Sequence, residues 1–331
     1  MPWVKLDSNP LKTQMRRRIF WCSYNLDRAI SVTLGRPQGI TDNDIDVEFP
    51  LDIDDSNLTA DGVLCEPRTN PADLSTTMSG AIHTIRLRRI WARIQGLVYP
   101  QVSGEINTIM PSLINNLRQE LDEWLETSPP QLASNVEHNN AFGSREWFEG
   151  MYHHSILLLH RKGLTDTRNR PPPETFLACA RSGAAICTGY RQFYLNNRLT
   201  DTWAGLHNLF LGGVTFLYCL WSSPETRANF RLDSVSNICM ACNVVLSITA
   251  ERWPCAAAHR NTFDMLTNAT MSMLVETNTT SSEPSFPILP SSATDQFSGY
   301  FANMAEVGVS TSVEELLSNM LDPSMEWREV A

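Results

Sequence analysis

The side chains best suited to chemistry are arginines and carboxylates within the first sixty residues. Arg16, Arg17 and Arg18 open a segment that also contains Asp27 and Arg28. A guanidinium donates hydrogen bonds from a planar fork that fits carboxylate oxygens, and it can do so while partly buried. The pattern therefore predicts a central helix whose arginines reach buried carboxylates or the C-terminal ends of other helices.

The carboxylates that follow are concentrated in one segment. Between Asp42 and Asp61 there are eight acidic residues and no basic residue. Asp42, Asp44 and Asp46 are spaced like the start of a calcium-binding loop. However, Val47 occupies the sixth position, where a glycine is needed, and the twelfth position is not a glutamate. We therefore predict no calcium site, and expect a short helix near residues 41–47 with acidic groups at its positive end.

The sequence contains none of the compact motifs for nucleotide binding, metal-dependent hydrolysis or serine hydrolysis. G-x-x-x-x-G-K-[ST], H-E-x-x-H, G-x-S-x-G and G-x-G-x-x-G are all absent. No carboxylate pair, and no nucleophile with a base at local spacing, is present either. We predict no catalytic residue, no bound cofactor and no metal ligand in this chain, although a site assembled from distant segments stays open.

Histidines and cysteines that could bind a metal are predicted to have structural roles. His153, His154 and His160 do not pair at i, i+4, which favours helix-surface or capping positions over metal ligation. Cys239 and Cys242 form one C-x-x-C pair without a second pair elsewhere. A lone pair inside a helical pattern favours core packing over a metal or redox site.

The overall charge and the apolar segments limit the kind of protein. Lys and Arg number 26 against 36 Asp and Glu, for a net charge of −10. This balance excludes a chain that binds nucleic acid along its whole surface. No secretory signal is recognisable at the N-terminus, and the longest apolar segment, residues 206–221, is too short to span a bilayer. We expect an intracellular protein that does not contact membranes.

The elements that must position the arginines are helices. In the first helix, apolar residues recur every three or four positions and predict one buried stripe: Leu11, Met15, Ile19, Cys22, Leu26 and Ile30. Pro10 favours a helix start, and Gly35 followed by Pro37 favours a stop. Further helical patterns cover residues 72–99, 105–126, 142–160, 174–196, 202–221, 233–252 and 254–276. No segment alternates with a period of two for long enough to form a sheet, so the fold class is predicted to be all-α.

The predicted organisation is one large irregular helical domain, residues 1–277, followed by a flexible acidic tail, residues 278–331. The tail begins as a linker rich in Ser, Thr and Pro. It then mixes acids with large apolar residues, which suggests an activation segment: Glu314, Glu315, Leu316, Leu317, Met320, Leu321 and Trp327. Two readings stay open, a short amphipathic helix that docks a coactivator and a helix that folds back onto its own domain.

Two other groups admit both a functional and a structural interpretation. A basic patch on a predicted helix either contacts phosphate or, as we favour, pairs with the acidic residues 42–61 or faces water: Arg86, Arg88, Arg89 and Arg93. An aromatic set either lines an effector pocket or, as its helical spacing favours, packs in the core: Trp203, Phe210, Phe216, Tyr218 and Trp221.

Several of these segments together resemble the regulatory, middle-homology domain of fungal zinc-cluster transcription factors. The resemblance depends on an ordered set of signature residues: Arg16, Arg17, Arg18, Trp21, Asp27, Arg28, Gly35, Arg36, Pro37, Asp44 and Asp46. Residues 152–161, 210–221, 251–254 and 260–263 resemble the C-terminal half of that domain. The resemblance covers roughly residues 5 to 275.

The resemblance implies a non-enzymatic nuclear regulator of RNA polymerase II transcription, controlling metabolic or secondary-metabolite cluster genes. The partners it implies are a coactivator or other transcription machinery bound through the tail, a small-molecule effector, and a second copy in a homodimer. In full-length relatives, DNA is bound through an N-terminal zinc cluster with six cysteines. Here the first cysteine is Cys22, inside a predicted helix, so zinc and direct DNA contact are expected only in relatives that carry the cluster.

The chain is also expected to be truncated relative to the family, because the helices that precede the signature helix are missing. Their loss should expose apolar surface unless another chain covers it. The alternative is a helical small-molecule-binding protein or enzyme that retained the fold without the DNA reader.

Overall fold

The computed structural model describes residues 9–99, 111–130, 143–166, 170–199, 202–279 and 311–321. Within these ranges the regular elements are helices, with one isolated bridge between Leu58 and Val63, and the predicted all-α class is confirmed. The α-helices are α1 Pro10–Leu34, α2 Ser79–Val98, α3 Pro111–Glu126, α4 Arg145–Leu164, α5 Pro173–Leu195, α6 Trp203–Ser222, α7 Pro224–Ala228, α8 Leu232–Arg252, α9 Ala257–Thr279 and α10 Thr311–Leu321. Short 3-10 turns cover Asp42–Asp44, Asp55–Asn57 and Pro254–Ala256.

The chain divides into two compact units. The first comprises Met1–Val32 and Arg36–Tyr152, and the second comprises Thr33–Gly35 and His153–Ala331. Helix α10, which the sequence placed in the tail, packs within the core of the second unit. The domain boundary near residue 277 stays a prediction.

Helix α1 has the predicted ends. It begins at Pro10, and it stops before Gly35, whose φ of 63° is a left-handed conformation that glycine adopts without steric cost. Helix α2 begins later than predicted, at Ser79 rather than near residue 72. The hydroxyls of Thr76 and Ser79 donate to Asp52 at 2.5 and 2.7 Å, which fixes a non-helical turn just before the helix.

The predicted buried stripe of α1 is wrong. Five of its six members are exposed to solvent: Met15, Ile19, Cys22, Leu26 and Ile30. The buried side of α1 is instead aromatic and polar, and consists of Gln14, Trp21, Tyr24, Arg28, Ser31 and Val32. Both sides of α1 have residues at helical spacing that could be buried. Contacts with residues 40–55 determine which side is buried.

Helix α6 forms the centre of the second unit. Every residue from Leu209 to Ser222 is buried, and the residues around it come from α4, α5, α8, α9 and α10. The buried aromatic groups satisfy their polar atoms inside the unit, since the Tyr218 hydroxyl donates to the Leu164 carbonyl at 3.1 Å and the Trp221 indole donates to Thr270 at 2.7 Å. The preference for core packing of the aromatic set is confirmed for Phe210, Phe216, Tyr218 and Trp221.

By length and composition, α6 and α8 could each cross a membrane. Helix α6 spans 20 residues and is longer than the apolar segment read from the sequence. However, 78% of its apolar window is buried inside the protein, as in the core helix of a globular unit. Its apolar character is therefore explained by packing.

Candidate functional site

Two of the signature residues, Asp27 and Arg28, meet at a fully buried guanidinium in the first unit. The Arg28 side chain has no exposed surface. Its Nη2 donates to the Ile40 carbonyl at 2.6 Å and to Asp42 Oδ1 at 2.9 Å, and its Nη1 pairs with Asp27. We call Tyr24, Asp27, Arg28 and Asp42 the arginine clasp.

The clasp is closed by Tyr24. Its ring lies 4.2 Å below the Arg28 guanidinium, and its hydroxyl donates to Asp42 Oδ1 at 2.8 Å. Burial and the hydrogen bond to Asp42 raise the pKa of Tyr24 well above its usual value. Burial is the largest single influence and would lower the pKa of Arg28, but the interactions with Asp42 and Tyr24 together outweigh it and the pKa is raised. The charged guanidinium is therefore retained inside the fold because its partners compensate for lost hydration.

The rest of α1 holds the acidic segment along its length. Arg17 pairs with Glu48, and Arg18 Nη1 donates to Asp55 at 2.7 Å. The Trp21 indole donates to the Glu48 carbonyl at 2.9 Å. Helix α1 thus binds residues 40–55 through alternating charged and aromatic contacts. Its arginines reach carboxylates, but Glu48 and Asp55 are largely exposed rather than buried as expected, and Arg28 reaches the mostly covered Asp42.

The turn after α1 is held by other signature positions. Asp27 accepts a hydrogen bond from the Gly39 amide at 3.1 Å, and the Ser31 hydroxyl donates to the Pro37 carbonyl at 3.2 Å. The Arg36 carbonyl accepts from Gln95 of α2 at 2.6 Å. These bonds bring residues 36–39 back against α1 and α2, so that the chain enters the clasp in one conformation.

Several signature side chains lie away from the clasp, in addition to Arg17 and Arg18. Arg16, Arg36 and Asp46 are exposed. Asp44 accepts a hydrogen bond from the Thr41 hydroxyl at 2.6 Å and so fixes the short turn that presents Asp42. The structure therefore places Asp27 and Arg28 in the clasp and Trp21 against the ring of Tyr24, and it leaves the outer charges on the surface.

The basic patch on α2 does not act as one group. Arg89 Nε lies 3.4 Å from Asp42, as predicted, whereas Arg93 pairs with Glu120 of α3 at 2.8 Å. Arg86 is exposed. The prediction of pairing or solvent exposure fails for Arg88, which is buried, with its guanidinium 3.8 Å from the Trp91 ring centroid.

The cluster around Arg88 is electrostatically unusual. Burial lowers the pKa of Arg88 to about 10. Within the described part of the chain, its Nε and Nη1 have no hydrogen-bond acceptor. Its guanidinium lies over the Trp91 ring, an interaction that strengthens where water is excluded.

The geometry does not favour metal binding by the histidines and the C-x-x-C pair considered from the sequence. Cys239 and Cys242 are buried, and burial raises the pKa of Cys239 to about 12. His154 is also buried, which corrects the expectation of a surface or capping position. Among the residues with described positions, no three His, Cys, Asp or Glu side chains are arranged to hold a metal ion.

Buried histidines that the sequence does not indicate include His83 and His259. His83 of α2 stacks on Trp124 with 4.5 Å between ring centroids, and Phe148 meets its edge. In the second unit, His259 of α9 lies against Phe210 at 4.9 Å. Burial lowers the pKa of each histidine to about 3. Lone histidines carry no sequence signal that distinguishes a buried ring from a surface one.

These histidines predict a loss of stability in mild acid. Each binds a proton in the unfolded chain near pH 6.5 but not in the folded chain until about pH 3. Their contribution is therefore complete above pH 6.5 and is lost progressively as the pH falls. Between pH 7.5 and 5.0 we expect each to cost about 2 kcal/mol of unfolding free energy. Urea unfolding at both pH values measures it.

The matched comparison is His83→Phe, which keeps an aromatic ring on Trp124 and cannot titrate. Its loss of stability between the two pH values should be about 2 kcal/mol smaller than that of the wild type. An identical loss in both proteins would contradict the assignment to His83.

Comparison with known proteins shows what this chain is similar to. Residues 3–132, which include the arginine clasp, match the family described as fungal specific transcription factor domain. The chain is 25% identical over 305 residues to a positive regulator of purine utilization from Emericella nidulans, covering 79% of this chain and 28% of the relative. It is 30% identical over 212 residues to pyrimidine pathway regulatory protein 1 of Saccharomyces cerevisiae, covering 62% and 22% respectively.

A third relative is the transcriptional activator protein acu-15 of Neurospora crassa, 26% identical over 181 residues. The match covers 53% of this chain and 19% of the relative. The chain therefore spans about a quarter of the length of the curated relatives that it matches, or less. No solved structure matches it.

Proposed function

Because the chain carries a fungal specific transcription factor domain at residues 3–132, and its relatives are regulators of transcription, we propose that it supplies the regulatory part of a fungal zinc-cluster type regulator. One observation gives the proposal its main support. The matched residues are those in which α1 binds the acidic segment through the arginine clasp. The site of action is the nucleus, and the genes controlled are transcribed by RNA polymerase II.

The clasp itself supports a scaffold rather than a reaction centre. Arg28 and Asp42 are each engaged by several partners inside the protein, so neither is available to bind or activate a substrate. The side chains of the clasp hold helix α1 against the residues that follow it. DNA contact is proposed to need a zinc cluster, which this sequence does not contain. We propose no catalytic activity.

The names of the relatives favour control of metabolic genes. Two of them are named for purine utilization and for the pyrimidine pathway. Control of secondary-metabolite cluster genes and a small-molecule effector stay predictions. Four members of the aromatic set that could have lined an effector pocket, Phe210, Phe216, Tyr218 and Trp221, are packed in the core of the second unit.

The proposed activation segment is partly covered in this structure. Leu316 and Leu317 are fully buried, Met320 is 2% exposed, and Glu315 stays on the surface. Leu321 ends α10, and Trp327 lies outside the described residues. The packing favours the reading in which α10 folds back onto its own unit. We therefore propose that a coactivator can dock on this segment only when α10 leaves α6.

A reporter assay tests the regulatory function. Fusing the whole chain to a heterologous DNA-binding domain should change reporter expression relative to that domain alone. A fusion of residues 277–331 should activate several-fold more strongly, because its apolar side chains are no longer covered. The replacement of Leu316 and Leu317 by alanine in this short fusion should abolish activation, since an amphipathic helix binds through its apolar face.

Ser318→Ala in the same short fusion is the matched control, because Ser318 lies on the exposed side of α10. It should leave activation unchanged. If neither the whole chain nor residues 277–331 alter the reporter, the regulatory function is contradicted. If only the whole chain does, the activation segment is excluded while the regulatory domain stands.

A further inference from the structure

Arg88 of α2 is a buried cation whose hydrogen-bond donors are largely unused. The residue is 8% exposed, so more than nine-tenths of its surface is covered. Within the part of the chain that the structure describes, Nε and Nη1 are enclosed by protein and have no acceptor. Burying a charge without hydrogen-bond partners is costly, and buried arginines are normally paired. The arrangement therefore points to an acceptor that another molecule supplies.

The neighbouring arginines of α2 do not share this feature. Arg89 and Arg93 each lie beside a carboxylate, and Arg86 is exposed to water. The carboxylate beside Arg89 is that of Asp42, which the arginine clasp also uses. Of these four arginines, Arg88 is the one that has neither a full hydration shell nor a carboxylate among the described residues.

Arg88 nevertheless keeps its charge at neutral pH. Burial lowers the pKa of Arg88 to about 10, and the Tyr24 hydroxyl opposes this effect. The pKa of Tyr24 is itself raised, so its phenol is neutral at pH 7 and supplies no negative charge. Arg88 is therefore a cation that has lost most of its hydration without gaining a counter-ion.

The guanidinium can be reached from the surface at one edge. The Trp91 ring lies 3.8 Å from the guanidinium carbon and covers one face, so hydrogen bonds are made in the guanidinium plane. Because Nε and Nη1 are enclosed, Nη2 is the nitrogen that remains open to a ligand. A ligand that offers an oxygen at this edge gains a charge-assisted hydrogen bond.

We propose that Arg88 anchors a binding site for a small soluble oxyanion, a carboxylate or a phosphate, one oxygen of which accepts a hydrogen bond from Nη2. Both groups match guanidinium donors and bring the missing negative charge. A neutral ligand would leave the buried charge uncompensated, and a metal cation would be repelled. The inference goes beyond the proposed function and does not depend on it, since anion binding can be measured whether or not the chain regulates transcription.

Thermal unfolding of the whole chain in inorganic phosphate or in succinate tests the site, with chloride added to keep the ionic strength constant. A ligand that binds the folded chain raises the midpoint of unfolding. At about 20 mM of an anion with a dissociation constant of about 1 mM, we expect a rise of about 3–5 °C. Phosphate also stabilises proteins because it is excluded from their surface, so the readout is the difference between the wild type and Arg88→Met.

Arg88→Met should remove the rise that is specific to the site. A difference from the wild type in phosphate alone assigns a phosphate ligand, and a difference in succinate alone assigns a carboxylate ligand. The absence of a difference in both anions overturns the proposal. So does a rise that occurs only with long polyglutamate, because that result would indicate an acidic protein partner instead of a small anion.

Arg86→Met is the matched control, because Arg86 lies on the same helix, carries the same charge and is exposed. It should retain the wild-type rise. If it reduces the rise as much as Arg88→Met does, anions respond to the general positive charge of α2, and the proposal is overturned.

The stability of Arg88→Met in chloride alone gives a second readout. Methionine fills a similar volume, and the charge that it removes has no carboxylate partner among the described residues, so the variant should fold and unfold at a temperature close to that of the wild type. A loss of stability as large as that of Arg28→Met would show that the guanidinium already has an acceptor within the chain. That result would overturn the proposal.

Discussion

Arg28→Met is expected to destabilise the first unit by about 3–5 kcal/mol, the usual cost of removing one partner of a buried charge pair. The substitution leaves Asp42 and the Ile40 carbonyl without their buried donor. Methionine fills much of the same volume, so the loss reports the missing charge rather than a cavity. Because domains are stable by only 5–15 kcal/mol, this unit would be close to unfolding. Urea unfolding at neutral pH measures the change.

The control for this prediction is Arg93→Met. Arg93 also pairs with a carboxylate, Glu120, but both side chains are largely exposed, at 48% and 39%. A surface pair contributes at most about 1 kcal/mol. Equal losses for the two variants would show that the clasp is no more important than a surface pair. The double variant Arg28→Met with Asp42→Asn should recover part of the loss, because the unpaired negative charge is removed.

Gly183→Ala is expected to have the largest effect in the second unit. Gly183 of α5 approaches α6 so closely that a Cβ atom there would lie 2.5 Å from the Gly212 carbonyl oxygen and 3.1 Å from Phe216 Cβ. The first of these is a backbone atom, which cannot move away without separating the two helices. Overpacking of this kind costs about 1–3 kcal/mol or more, and we expect a value near 3 kcal/mol.

Gly189→Ala in the same helix gives the matched comparison. A Cβ at Gly189 meets nothing within 4 Å. The substitution should therefore stabilise the second unit by about 0.5–1 kcal/mol, since alanine favours the helix over glycine. Thermal and urea unfolding of both variants measure the change in unfolding free energy, which should be a loss for Gly183→Ala and a gain for Gly189→Ala. Similar values for both would mean that α5 and α6 do not pack as closely as described.

Helix α5 contains several small residues, among them Ala180, Ser182 and Gly183, a pattern typical of a helix that another helix approaches closely. The sequence does not indicate which helix packs against α5, because small residues permit the close approach of any helix. Gly183 meets Gly212 and Phe216 because α6 is apolar on all sides and becomes the centre of the unit. Likewise, the helix positions followed from the apolar period, while the late start of α2 depends on Asp52, which lies far before it in the sequence.

In helix α1, local sequence signals predict the two ends, whereas the choice of the buried side depends on the folded chain. Local signals were sufficient for its ends, since Pro10 suits a first turn and Gly35 accepts a positive φ. They also indicated that its arginines pair inside the protein, without naming the carboxylates that they reach. They could not decide which side is buried, because apolar residues on one side compete with Trp21, Tyr24 and Arg28 on the other. The second side is buried because residues 40–55 supply the acceptors that a buried arginine and indole need, and those acceptors exist only once the chain has folded back.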